Sequence, residues 1–70
     1  MAKYDAVDAA ILEELEKKPG MAYFQLIFAL YDLIPTHHPD QDAFRVLDRR
    51  LQALRKKGMI IFNKGWHKQG

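Results

Sequence analysis

The stretch of sequence that decides the fold lies between residues 44 and 60 and reads FRVLDRRLQALRKKGMI. Its apolar residues recur at helical spacing, which predicts a long helix over about residues 40–57. The expected buried stripe of this helix consists of Phe44, Leu47, Leu51 and Leu54. Gly58 stands where a left-handed C-terminal cap belongs, so we expect the helix to end there.

A β-hairpin is predicted directly after this helix, over residues 59–68. The segment MIIF is apolar, NKG is a turn sequence, and WHK follows as a second short strand. Gly65 suits the left-handed position of a three-residue turn, which sets Phe62 opposite Trp66. We expect Trp66 to cover the base of the hairpin, with stacking on a ligand as the alternative for this ring.

Two more helices are predicted upstream. The first covers about residues 5–18, where Val7, Ile11 and Leu15 form a helical stripe that ends at a Pro-Gly pair. The second covers about residues 23–33 after a short extended segment, and it is followed by a loop over residues 33–39, because Pro35 and Pro39 disfavour helix in the residues before them.

The second predicted helix is apolar on two faces. The bulkier face is expected to point inward, and it contains Phe24, Ile27, Phe28 and Tyr31. The opposite face is expected to form a homodimer interface, and it contains Leu26, Leu30 and Leu33. The alternative is that the first helix or the hairpin covers these leucines within one chain.

Composition limits the classes of protein to consider. The 70 residues fit one domain, and 49% of them are hydrophobic, which is enough for a packed core. There is no cysteine, so neither disulfides nor thiolate metal sites are available. Neither a signal peptide nor a membrane-spanning run is recognised, so we expect a cytoplasmic protein that does not bind membranes.

Charge is unevenly distributed along the chain. Residues 1–40 contain three lysines and seven acidic residues, a net charge of −4, whereas residues 41–70 contain eight basic and two acidic residues, a net charge of +6. A basic half predicts an anionic partner. The alternative is a solvated helix face with no partner.

The order of helix, extended segment, helix, helix and hairpin resembles the winged helix-turn-helix family over nearly the whole chain. The run VLDRRLQALRKKGMI is similar to that of small bacterial and prophage-encoded winged-helix proteins. The resemblance implies a mainly α fold, a single three-helix domain over residues 1–70 with the hairpin as its wing, and the function of a transcriptional or phage-type regulator that binds double-stranded DNA.

In such a protein the third helix lies in the major groove of DNA. The residues expected to point away from its core stripe are Arg45, Arg49, Gln52 and Lys56. Arginine can read guanine, and glutamine can read adenine, through paired hydrogen bonds. The residues expected at phosphates, or along the wing, are Arg50, Lys57, Lys64 and Lys68. We expect contact from the middle of the helix, since Asp40 and Asp42 precede it and repel phosphates.

Other functions are less well supported by the residues. Catalysis is not expected, because the chain has no Cys or Ser and only one Thr. His37 and His38, with Asp40 and His67 as further candidate ligands, lack the spacing of a metal site. The two adjacent histidines are therefore interpreted as exposed loop residues, and no cofactor or small-molecule effector is predicted. A winged-helix adaptor that binds protein instead of DNA, or an RNA-binding winged helix, remains the alternative.

Overall fold

The computed structural model describes residues 3–69, which form a mainly helical fold with a two-stranded antiparallel hairpin, as the sequence predicts. The elements in chain order are α1 (Asp5–Lys17), α2 (Tyr23–Ala29), α3 (Leu33–His37), α4 (Ala43–Lys56), β1 (Ile60–Phe62) and β2 (Trp66–Lys68). Within residues 3–69 there is no helix of the length and apolar character needed to cross a membrane.

The core is built from one face of each helix together with the hairpin. Aliphatic side chains dominate it, and Trp66 is its one buried aromatic residue among the residues described. Its members are Val7, Ile11, Leu15, Met21, Leu26, Ile27, Leu30, Ile34, Val46, Leu47, Leu51, Leu54, Ile60 and Trp66. Because α4 packs on this core with its inner face, its outward face is left to solvent.

Both ends of α4 follow from its local sequence. Asp42 is the N-cap, and its carboxylate accepts a hydrogen bond from the backbone N–H of Phe44 at 2.9 Å. At the other end Gly58 has a φ of +77°, its N–H donates to the carbonyl of Arg55, and Met59 N–H donates to the carbonyl of Leu54. This pair of bonds is a Schellman cap, which confirms the predicted role of Gly58.

The helix differs from the prediction in its start and in one buried position. It begins at Ala43, because Asp42 has an extended backbone and caps it. Phe44, predicted to be part of the buried stripe, lies in the first turn and is 53% exposed. Val46 is buried on the inner side of α4 together with the three predicted leucines.

The hairpin has the predicted register, with Phe62 opposite Trp66. Met21 extends the sheet by one bridge, since Trp66 N–H donates to the carbonyl of Met21 at 2.8 Å. The left-handed residue of the turn is Lys64, with a φ of 56°, and not Gly65 as predicted. Gly65 has a φ of +125°, and a Cβ there would lie 2.3 Å from the carbonyl oxygen of Gly20, so only glycine fits beneath that backbone.

The predicted second helix is divided in two. It ends at Ala29, and a separate helix, α3, begins at Leu33 where a loop was predicted. Pro35 is the third residue of α3, and a proline in the first turn removes no intrahelical hydrogen bond. The prediction of a loop over residues 33–39 is therefore wrong for residues 33–37.

The predicted faces of α2 are reversed. Leu26 and Leu30 are buried, and Leu33 packs against the core, so these leucines are not a free dimer interface. The break after Ala29 allows Leu30 and Ile34 to continue the buried aliphatic row that starts at Leu26. Of the four residues predicted to fill the core, Ile27 is buried, whereas the three aromatic residues Phe24, Phe28 and Tyr31 are exposed.

Candidate nucleic-acid interface

The solvent face of α4 carries a polar and basic stripe. Successive residues of a helix are rotated by about 100°, so positions 45, 49, 52 and 56 lie within about 60° of one another and opposite Leu47 and Leu54. Arg45, Arg49 and Lys56 are exposed, and Gln52 is half-buried. From the first to the last of these positions the stripe is about 16 Å long.

The three basic side chains of this stripe have no direct counter-ion among the residues that the structure describes. Within residues 3–69, neither Arg45 nor Arg49 nor Lys56 forms an ion pair. The stripe projects from a helix whose opposite face is fixed in the core, so its positive charges have a defined direction. Such a surface can accept an anionic partner without first breaking an internal ion pair.

Gln52 is not free in this structure. Its side-chain oxygen, Oε1, accepts hydrogen bonds from both Nε and Nη2 of Arg55, at 3.2 and 3.0 Å. Reading an adenine with Gln52 requires that oxygen as an acceptor, so Arg55 must release it first. Arg55, which the sequence analysis did not single out, thereby joins the candidate site.

Arg50, a predicted phosphate contact, is used inside the fold. Its Nε and Nη2 donate to the two carboxylate oxygens of Asp8, each at 2.8 Å, and its guanidinium lies 5.2 Å from the ring centre of Tyr4. The hydrogen bond to Asp8 raises the pKa of Arg50 above its ordinary value. The prediction for Arg50 is corrected, because this side chain joins α4 to α1 instead of facing solvent.

The remaining predicted lysines divide into two groups. Lys57, at the end of α4, and Lys64, at the tip of the hairpin, are exposed and have no ion pair within the described chain. Lys68 points towards α1 instead, where its ammonium group lies 3.4 Å from a carboxylate oxygen of Glu16. Lys68 is thus a weaker candidate for a phosphate contact than Lys57 or Lys64.

A groove of about 610 Å³ separates the C-terminal half of α4 from the hairpin. Its polar wall includes Gln52 and Arg55, and its apolar wall includes Ile61 and Phe62. Trp66 also borders the groove, but it is buried and contacts Phe62 edge-on at 5.2 Å between ring centres. As expected, the indole covers the base of the hairpin, while the exposed ring of Phe62 is the aromatic surface available to a ligand.

Acidic groups border the other end of the stripe. Asp40 and Asp42 line a hollow of about 270 Å³ together with Arg45 and Arg49. The half-buried Tyr23 is close by, since its hydroxyl donates to the carbonyl of Phe44 at 2.6 Å. Burial raises the pKa of Tyr23, and Asp48 and Asp42 raise it further. The first turn of α4 therefore has mixed charge, and the exposed Asp48 lies next to Arg49 in the middle of the helix, whereas the C-terminal end is basic.

The histidines do not assemble into a ligand set. Among residues 3–69 no group of three or more His, Cys, Asp or Glu side chains is arranged to hold a metal ion. His38 is buried, contrary to the prediction of an exposed loop, because it ends α3 and its ring lies 4.6 Å from that of Tyr4. His37 remains exposed.

Comparison of the chain with known protein families, with curated proteins and with solved structures gave no match.

Proposed function

We propose that this protein binds double-stranded DNA through the outward face of α4 and the hairpin, as a winged-helix transcriptional or phage-type regulator. The observation that carries the proposal is the basic stripe Arg45, Arg49 and Lys56, which is exposed and free of ion pairs within the described residues. A helix is narrow enough to enter the major groove, and a stripe about three turns long matches the contact surface of a recognition helix.

The arrangement of elements supports the same proposal. A helix that carries the basic stripe is followed at once by a hairpin, and the turn of that hairpin bears the exposed Lys64. In a winged-helix protein the hairpin contacts the DNA backbone beside the groove that the helix enters. Lys57 and Lys64 then contact phosphates, and Arg45 and Arg49 reach base edges.

A function of this kind needs no catalytic group, metal ion, cofactor or small-molecule effector, and it is carried out in the cytoplasm. The second candidate is an adaptor that binds a protein partner and no DNA. It is favoured by Asp40 and Asp42, which border Arg45 and Arg49 and reduce the attraction of that end of α4 for phosphates.

The test is the affinity for a labelled random-sequence duplex, measured by fluorescence anisotropy at several salt concentrations. We expect log affinity to fall linearly with log salt, by close to one unit for each phosphate contacted. Lys56→Ala should weaken binding to every sequence and flatten the slope by about one unit. Lys17→Ala is the matched control, because Lys17 and Lys56 are each the last residue of their helix.

Lys17→Ala should leave both the affinity and the salt slope unchanged. An absence of binding by the wild-type protein at low salt would exclude the DNA proposal and favour the adaptor. Equal losses in the two variants would show that binding follows total charge and not the stripe on α4.

A further inference from the structure

Three exposed aromatic residues form an aromatic face on α2 and the turn that follows it. It consists of Phe24, Phe28 and Tyr31, whose residues are 60%, 75% and 56% exposed. Phe24 and Phe28 are one helical turn apart, and Tyr31 follows in the turn after the helix. We propose that this aromatic face binds a second copy of the chain and forms a two-fold symmetric dimer.

The charge distribution favours a second copy as the occupant. From Gly20 to Tyr31 the sequence contains no charged residue. In a two-fold dimer the same surface meets itself, so a charged surface brings like charges together, whereas an uncharged one does not. The outward faces of α1, with Glu13 and Glu16, and of α4, with its basic stripe, are unsuited to self-association for this reason.

The exposed area is also large enough to form the centre of such an interface. At the observed exposures the three aromatic residues present roughly 400 Å² per copy, about half of the roughly 800 Å² that each partner buries in a stable complex. The exposed residues Gln25 and Ala29 lie on the same helix and extend the surface. Aromatic side chains at the centre of an interface are the ones that contribute most to binding.

The shape of this region suits self-association as well. A hollow of about 590 Å³ lies beside Phe28, and Pro19, Gly20, Met21, Gln25 and Ala29 are among the residues that line it. A protruding ring next to this hollow allows the ring of each copy to enter the hollow of the other. Glu14 and Lys18 line the same hollow and have opposite charges, so they can pair between the two copies.

This inference goes beyond DNA binding and does not depend on it, because the aromatic face and the basic stripe share no residue. Its test is analytical ultracentrifugation of the full chain without DNA. At high micromolar concentration we expect a mass of twice the 8.2 kDa of one chain. A monomer at that concentration would overturn the proposal.

Phe28→Glu should raise the dimer dissociation constant by about 100-fold, because a carboxylate enters an apolar interface from both copies. The variant should keep the circular dichroism spectrum of the wild type, since this ring lies largely outside the core. Phe62→Glu is the control, an exposed aromatic residue on the hairpin, and it should dimerise like the wild type.

Phe24→Glu provides a second, independent variant and should also give a monomer. If both α2 variants sediment as dimers, or if Phe62→Glu dissociates the dimer as strongly as they do, the interface lies elsewhere and the proposal is wrong.

Discussion

Arg49 and Arg50 are adjacent in the chain, yet their side chains have opposite surroundings. Arg49 faces solvent on the basic stripe, whereas Arg50 forms two hydrogen bonds with Asp8 and lies beside Tyr4. The rotation of about 100° between consecutive helical residues accounts for the difference. One arginine is thus available for a ligand, and the other stabilises the contact between α1 and α4.

Asp8→Ala should lower the free energy of unfolding by about 1–2 kcal/mol, because it removes two charge-assisted hydrogen bonds from a partly buried pair. The measurement is urea denaturation. Glu13→Ala is the matched control on the same helix, since it removes the exposed Glu13–Lys17 pair, which solvent screens. Equal stabilities for the two variants would show that the pair between Asp8 and Arg50 does not join the helices.

Among the elements, α4 and the hairpin could be predicted best from the sequence. The stripe of Leu47, Leu51 and Leu54 and the cap at Gly58 are local signals, and both are found in the structure. The register of Phe62 opposite Trp66 follows from the length of the turn in the same way. Local periodicity and turn chemistry are sufficient for elements of this kind.

The stretch from α2 to α3 could not be predicted in the same way. Every position from Leu26 to Leu30 is apolar or small, so periodicity did not distinguish the inner face from the outer one. Which face of α2 is buried depends on the break after Ala29 and on packing against α1 and α4. These packing contacts join residues that are distant in the sequence. The pairing of Arg50 with Asp8, 42 positions apart, was missed for the same reason.

At the level of α4 as an element, we expect Arg45 and Arg49 to carry sequence discrimination. Arg49→Ala should reduce the preference for a selected duplex over random DNA by about 1–3 kcal/mol, because a paired contact to a base is lost. The melting temperature should change little, since the side chain is exposed. Competition binding measures this preference. If both Arg45→Ala and Arg49→Ala keep the wild-type preference, sequence recognition depends on the hairpin or on DNA shape instead.

For the whole molecule, the two halves of the chain differ in charge and also in the surface they form. The acidic residues of α1, such as Glu13 and Glu16, are exposed on a helix that packs against the inner side of α4. The basic stripe is on the outer side of α4. If the protein binds DNA as proposed, this separation of charge should direct the phosphates towards α4 and the hairpin and away from α1.

The most direct measurement of the central claim is a titration of ¹⁵N-labelled protein with duplex DNA, followed by amide chemical shifts. We expect the largest changes in the outward residues of α4, such as Arg49 and Lys56, and at Lys64 in the hairpin. The amides of α1 around Glu13 should shift little, because that helix faces away from the basic stripe. Changes centred on α1 or on the aromatic face of α2, or no changes at low salt, would contradict the account.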